Sequence, residues 1–179
     1  MSPEIHTEAV VLELPGKGRW QARNSPARRI PSHGTHLFGT TYAIDLVPVD
    51  HRGRSGAVTW RTLLAAEQPT AFSGFGRPVA APIAGTVVLV HDGEPDHVAH
   101  RSPVASLGYA LGQPGRVRQG WAAVAGNSTQ PHVHLQVTDS LDWPTTRGVP
   151  LAFREYRSVA TGQVVSGGIP AEAENIEPA

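Results

Sequence analysis

The sequence predicts a mainly-β fold with large loops and few short helices, on three observations. Glycine and proline are abundant in this chain of 179 residues, with 19 and 16 copies, and both residues punctuate short elements and disfavour long helices. The apolar runs are short, rich in β-branched residues and bounded by turn residues, which is typical of strands. Apolar residues make up 40% of the chain, enough for the core of one domain of ordinary size.

The N-terminal part of the chain predicts a hairpin followed by a buried strand. Two strand segments, residues 10–14 and 19–22, flank the turn residues 15–18, a pattern of two strands joined by a tight turn. A polar loop spans residues 23–35. Residues 41–48 are β-branched and apolar and end at a proline, so we expect a buried strand there that carries one charge.

The middle of the chain predicts long loops around one regular segment. Residues 50–75 show no clear period and form a long excursion, in which residues 59–67 could make a short helix. Residues 78–90 begin with a proline-framed bend and a glycine turn and end in a β-branched strand at 86–90. A polar loop follows at 91–100.

The C-terminal part predicts the remaining strands and a tail. Residues 121–125 and 132–137 are strand candidates, and the alternating residues 151–156 predict a last edge strand. We expect three regions: N-terminal strands and loop at 1–30, the main domain at 31–160, and a disordered tail at 161–179, where glycine, proline, alanine and glutamate dominate.

The composition excludes several classes of function. Lysine plus arginine equals aspartate plus glutamate, at 15 each, so no electrostatic footprint for nucleic acid or an anionic membrane is present. The absence of cysteine excludes disulfides and thiolate metal sites and leaves histidine with aspartate or glutamate as metal ligands. The N-terminus lacks the pattern of a secretory signal, and no apolar run approaches a membrane span. We therefore expect a cytoplasmic protein, or an extracellular or cell-wall protein if the true start lies upstream.

Two histidines flank a single valine in the segment Pro-His-Val-His-Leu-Gln-Val at residues 131–137. Side chains alternate across a β-strand, so His132 and His134 share one face while Val133, Leu135 and Val137 point toward a core. Two adjacent imidazoles suit a metal site, or one ligand beside one proton-transfer group. A histidine-rich polar strand face is the simpler alternative.

Asp45 is the first candidate partner, because it stands where a buried strand prefers apolar groups. An unpaired buried carboxylate is costly, so Asp45 is solvated, paired or bound to a metal. His33 and His36 lie in the loop before this strand and can reach it by a fold-back of that loop. Taken together, a loop histidine, a strand aspartate and the His-x-His pair provide three ligands and a spare imidazole. Catalytic zinc uses three protein ligands with a water in the fourth position, so this combination indicates metal-dependent hydrolysis.

Four blocks of the sequence, spread over roughly residues 30–140, resemble the lysostaphin-type (LytM-like) zinc metallopeptidases. The blocks are residues 32–35 (Ser-His-Gly-Thr), 42–45 (Tyr-Ala-Ile-Asp), 78–87 (Pro-Val-Ala-Ala-Pro, then Gly-Thr-Val) and 126–134 (Gly-Asn-Ser-Thr-Gln-Pro-His-Val-His). The resemblance implies a β-rich groove of the duplicated-hybrid-motif type and cleavage of peptidoglycan cross-bridges or related glycine-rich peptides. It also implies one Zn²⁺ ion held by an early histidine, Asp45 and His134, with His132 handling protons. His33 is favoured as the early ligand because its Ser-His-Gly-Thr setting is closest to related sequences, with His36 as the alternative.

The chain departs from this family at one point. Members normally carry another catalytic histidine on a strand between the Gly-Thr-Val block and His-x-His. Here residues 121–127 run straight into 128–131, as though the domain were shortened between about 121 and 130. The polar setting of His91, His97 and His100 does not fit the missing role. Our hypothesis is that zinc ligation survives while peptidase turnover is weak or absent.

Two alternatives remain open at this stage. One is a non-catalytic relative that binds peptide or glycan in the same groove. The other is a histidine phosphocarrier of similar β-rich architecture, which would transfer phosphate to one histidine and bind no metal. Asp45 disfavours the phosphocarrier, because a carboxylate repels a phosphorylated imidazole but attracts a cation. The sequence leaves the oligomeric state and the exact substrate bond open.

Overall fold

The computed structural model describes residues 9–56, 68–91 and 130–179, and these fall into two compact units. The first contains residues 9–53, 78–86 and 132–179, and the second contains residues 54–56, 68–77, 87–91 and 130–131. The predicted helix at 59–67 and the predicted strand at 121–125 lie outside the described residues. No helix in the described ranges is long and apolar enough to cross a membrane.

The prediction of a mainly-β fold with few short helices is confirmed within the described residues. Seven strands form one curled sheet in the order β1-β7-β9-β2-β3-β4, with β8 paired to β7. Strands β5 and β6 form a separate two-stranded sheet. The strands are β1 (Val10–Leu12), β2 (Arg19–Arg23), β3 (Ile44–Val49), β4 (Val133–Leu135), β5 (Val137–Thr138), β6 (Gly148–Val149), β7 (Leu151–Ser158), β8 (Val164–Gly168) and β9 (Asn175–Glu177). The short 3-10 helices span Leu37–Tyr42 and Pro69–Ala71.

The core lies on one face of the large sheet and follows the period of two expected for strands. Trp20 and Ala22 of β2, together with Ile44 and Leu46 of β3, are completely buried in one apolar cluster. Val133, Leu135 and Val137 pack against the same cluster, as the sequence predicts. Since neighbours in a strand point to opposite faces, Asp45 of β3 and His134 of β4 emerge together on the other face, next to His132, which directly precedes β4.

The predicted hairpin between the first two strands is wrong. Strand β1 pairs in parallel with β7, whereas β2 pairs antiparallel with β3 and β9. The backbone that follows β1 is satisfied elsewhere: the Glu13 N–H donates to the carbonyl of Pro82, and the Ala80 N–H donates to the carbonyl of Pro15. Both N-terminal strands therefore belong to the same sheet as the strands of the predicted main domain.

The C-terminal tail is ordered in the sheet, against the sequence expectation of disorder for residues 161–179. It contributes β8 and β9, and β9 lies between β2 and β7. Ile176 of β9 is completely buried in the core cluster. The composition misled because a three-residue strand with one inward isoleucine gives almost no periodic signal. The prediction that residues 151–156 form a last edge strand is wrong as well. The strand there, β7 (Leu151–Ser158), pairs with β1, β8 and β9 and therefore lies in the interior of the sheet.

The predicted strand at residues 86–90 is also wrong for the described part of the chain. None of the described strands pairs with this segment, and its side chains are exposed, with Leu89 80% accessible. A β-branched sequence favours strand geometry only where a partner takes up its backbone hydrogen bonds and side chains. Residues 86–90 have no such partner strand among the described residues, so their β-branched sequence does not form a strand there.

Candidate metal centre

Asp45 stands at the centre of a histidine cluster on the outer face of β3. The antiparallel register sets it opposite His134 on β4 and opposite Arg23 on β2. Asp45 is only 8% exposed, and because a buried charge without partners is costly, its carboxylate needs hydrogen-bond or charge partners. Asn24, at the end of β2, donates its side-chain N–H to Asp45 Oδ2 at 2.7 Å. The remaining partners are imidazoles.

The His-x-His pair, with His134 in β4 and His132 directly before that strand, reaches Asp45 with both imidazoles. His134 Nδ1 lies 2.9 Å from Asp45 Oδ1, and His132 Nε2 lies 3.7 Å from the same oxygen. The side chain of His132 is 28% exposed, so it is open to solvent. The strand pairing between β3 and β4 thus positions one ligand candidate, His134, at this carboxylate, and the residue directly before β4, His132, is the proton-transfer candidate beside it.

The loop before β3 folds back and delivers His33 to the same point. Its return is held by the Ser32 N–H, which donates to the carbonyl of Thr41 at 3.0 Å, and by a turn from Gly34 N to the carbonyl of Pro31. His33 Nε2 then lies 3.3 Å from both carboxylate oxygens of Asp45. The rings of His33 and His134 meet edge to face, with centroids 4.8 Å apart.

His36, the alternative early ligand, lies away from this cluster. Its Nδ1 is 3.1 Å from the hydroxyl of Thr41, in an exposed position. Of the described residues, His33, Asp45 and His134 form a group that could hold a metal ion, with one ligand atom from each within 4.8 Å of the others. The structure therefore brings together His33, Asp45, His132 and His134 from the predicted site, and it does not bring His36 to them.

The donor set, two imidazole nitrogens and one carboxylate oxygen, could hold a divalent metal ion. Zinc binds imidazole nitrogen and carboxylate oxygen at about 2.0–2.2 Å, which leaves ligand atoms of a tetrahedral site roughly 3.3 Å apart. The distance from His33 Nε2 to the Asp45 oxygens is 3.3 Å, and the distance from His134 Nδ1 to Oδ1 is 2.9 Å. Two nitrogens and one oxygen also suit zinc better than magnesium or calcium, which prefer oxygen ligands.

The electrostatics of the centre favour a positive charge among these groups. Burial opposes ionisation of Asp45, but hydrogen bonds with His134 and His33, the charge of His132 and the Asn24 amide hold its pKa well below its usual range. Burial likewise opposes a charged His134, yet hydrogen bonds with Asp45 and Gln136 and the charge of Asp45 raise its pKa above the usual 6.5. A carboxylate that stays ionised between imidazoles stabilises a cation bound next to it.

Zinc affinity is expected to fall as the pH drops below the raised pKa of His134. Binding requires the unprotonated imidazole, so each pH unit below that pKa should cost about tenfold in affinity from this one proton. Asp45 stays ionised over this range because its pKa is lowered. The stability of the metal-free protein is expected to change in the opposite direction, since a raised histidine pKa stabilises the fold below pH 6.5 and this contribution is lost as the pH rises through the folded value. Zinc titrations between about pH 5 and 8 test this; an affinity that does not vary with pH would contradict it.

Sequence reasoning missed three residues that contact the centre: Asn24, Ser32 and Gln136. Ser32 Oγ lies 3.0 Å from His33 Nδ1, and Gln136 Oε1 lies 3.0 Å from His134 Nε2. A signal for Gln136 was available, because it follows His134 by two residues and so shares its side of the chain. Asn24 could not have been found this way, because its position depends on the pairing of β2 with β3.

No protein-family model matches this chain, and no curated protein or solved structure matches it either.

Proposed function

We propose that this protein is a zinc-dependent hydrolase of the metalloendopeptidase type, acting on peptidoglycan cross-bridges or related glycine-rich peptides. The observation that carries the proposal is the convergence of His33, Asp45 and His134, with His132 beside them. These residues come from a loop, strand β3 and strand β4, up to 101 residues apart in the chain. A polar strand face with no function has no need for such a convergence.

The residues of the site would have two different roles, metal binding and proton transfer. His33, Asp45 and His134 would hold the ion, which when bound supplies Lewis acidity that activates water and polarises a carbonyl. His132 is close to the Asp45 carboxylate but is not one of the three ligand candidates. Its exposed imidazole could accept a proton from the attacking water and later donate it to the leaving amine.

The substrate class comes from the resemblance of four sequence blocks to lysostaphin-type metallopeptidases. Two of these blocks contain His33 and Asp45, and a third ends at His134. The contacts of the centre support this proposal because they join the residues that the resemblance would make ligands. The sequence segment that lacks the family's further histidine, residues 121–129, lies outside the described residues. We therefore propose that zinc binding is retained and that turnover is slow.

Zinc stoichiometry and cleavage of a pentaglycine peptide, measured on the same preparation, test this proposal. We expect one zinc per chain and slow, zinc-dependent cleavage. His132→Ala should keep stoichiometric zinc and lose at least about a hundredfold in cleavage, the usual scale for general acid–base catalysis. The matched control is His36→Ala, which removes a histidine bonded to Thr41 outside the cluster and should change neither quantity.

Other outcomes distinguish the alternatives. Zinc binding with peptide binding but no cleavage would support the non-catalytic relative. Phosphorylation of one histidine without bound metal would support the phosphocarrier and contradict the hydrolase proposal. Brisk cleavage by the wild-type protein would refute the impaired turnover but leave the hydrolase proposal in place.

A further inference from the structure

One short backbone segment accepts hydrogen bonds from Gln136 and Ser32, whose side chains contact the imidazoles of His134 and His33. This segment is the 3-10 helix Leu37–Tyr42, which is kinked at Phe38 and Gly39, where φ is 56° and 72°. Positive φ is unusual for a residue with a bulky side chain such as Phe38 and persists only where its surroundings enforce it. A side chain at position 39 would collide with the Thr138 side chain, so the kink needs glycine there. The kink thus fixes the direction of the carbonyl groups of this segment.

The Phe38 carbonyl determines which way the Gln136 amide faces. Gln136 Nε2 donates to that carbonyl at 2.9 Å. Because the amide nitrogen is used there, the amide oxygen of Gln136 faces His134 Nε2 at 3.0 Å. An amide oxygen only accepts hydrogen bonds, so the contact requires a proton on His134 Nε2. In the neutral imidazole the other nitrogen, Nδ1, then carries the lone pair, and Nδ1 is the atom that faces Asp45.

The Thr40 carbonyl fixes the protonation pattern of the other imidazole, that of His33, through a hydrogen bond with Ser32. This serine is completely buried, and its hydroxyl donates to the Thr40 carbonyl at 3.2 Å. A hydroxyl has a single proton to donate, so towards His33 Nδ1, at 3.0 Å, it acts as acceptor. His33 therefore carries its proton on Nδ1, and its lone pair lies on Nε2, the atom that faces Asp45.

We propose that Gln136 and Ser32 are positioning residues that transmit the orientation of the Phe38 and Thr40 carbonyls to the two imidazoles and hold both in the tautomer that binds a metal. Asp45 alone would favour the opposite tautomer of His134, with the Nδ1 proton pointing at its carboxylate. Gln136 opposes that preference. This inference rests on the metal centre of the proposed function and extends it to residues that contact no ion themselves.

Zinc affinity and histidine tautomers of Gln136 and Ser32 variants test the proposal. Gln136→Leu keeps the size of the side chain but removes the acceptor, and Ser32→Ala removes the acceptor behind His33. Each is expected to weaken zinc binding by about 10–100-fold, as is usual for partners that orient a ligand histidine. Gln136→Glu keeps an acceptor opposite Nε2 and should retain more affinity than Gln136→Leu. Gln163→Leu, at an exposed position directly before β8, is the matched control and should bind zinc like the wild type.

The tautomers are measured by ¹⁵N NMR of the histidine rings on metal-free protein, at a pH where both rings are neutral, a readout that a merely structural role would not move. In Gln136→Leu the share of His134 protonated on Nε2 should fall relative to the wild type. Unchanged tautomers and unchanged affinity in both variants would overturn the inference while leaving the zinc site intact. A wild-type protein that binds no zinc would instead refute the proposed function, and the tautomer populations would still decide the positioning role. If Gln136→Leu fails to fold, Ser32→Ala and Gln136→Glu carry the test.

Discussion

Asp45→Asn is expected to abolish stoichiometric zinc binding. Loss of a residue that only orients a ligand costs about 10–100-fold in affinity, so loss of the central ligand should exceed about a hundredfold. Asn has nearly the same shape as Asp, which separates the charge of the carboxylate from its packing. Isothermal titration with zinc, with circular dichroism to verify the fold, measures the effect.

The matched control for Asp45→Asn is Asp142→Asn, which neutralises an exposed carboxylate in the turn between β5 and β6. It should leave zinc affinity unchanged. Without metal, Asp45→Asn should be less stable than the wild type at neutral pH, because a carboxylate with a lowered pKa stabilises the fold above its ordinary pKa of 3.8. The difference should shrink as the pH falls below that value. If Asp45→Asn binds zinc as tightly as the wild type does, the Asp45 carboxylate is not a metal ligand.

Ile176→Ala is expected to destabilise the metal-free protein by about 2–5 kcal/mol, the usual range for truncating a fully buried isoleucine. The reason is that Ile176 is completely buried in the core cluster although it lies three residues from the C-terminus of the chain. Urea unfolding followed by tryptophan fluorescence measures the free energy, since Trp20 lies in the same cluster.

Val164→Ala is the matched control for Ile176→Ala, because it truncates an aliphatic residue of the same C-terminal region that is 46% exposed. It should change the free energy of unfolding by no more than about 0.5 kcal/mol. If both substitutions prove equally harmless, the C-terminal region does not belong to the sheet and the sequence expectation of a disordered tail would be restored.

The sequence predicted the fold class and the residues that meet at Asp45, but not the pairing of the strands. Strand period two at residues 132–137 correctly separates the histidine face from the packed valine and leucine face, and the charge at Asp45 is conspicuous in an apolar strand. The position of His33 depends on a loop held by hydrogen bonds from Ser32 to backbone carbonyls. Such contacts have no local signature, which is why the residues alone left His33 and His36 open.

Strand pairing was the part that the sequence could not supply. The turn at residues 15–18 predicts a hairpin, yet β1 pairs with β7, about 140 residues later in the chain. Short strands such as β9 become stable only through their neighbours, so their own residues carry little information. The same dependence explains residues 86–90, whose β-branched sequence does not make a strand among the described residues.

Anomalous X-ray scattering at the zinc absorption edge, on crystals grown with zinc, shows whether His33, Asp45 and His134 hold one ion together. We expect a single strong anomalous peak per chain, within about 2.0–2.2 Å of His33 Nε2, His134 Nδ1 and a carboxylate oxygen of Asp45. A peak at His36 instead of His33, or no peak near Asp45, would contradict this expectation.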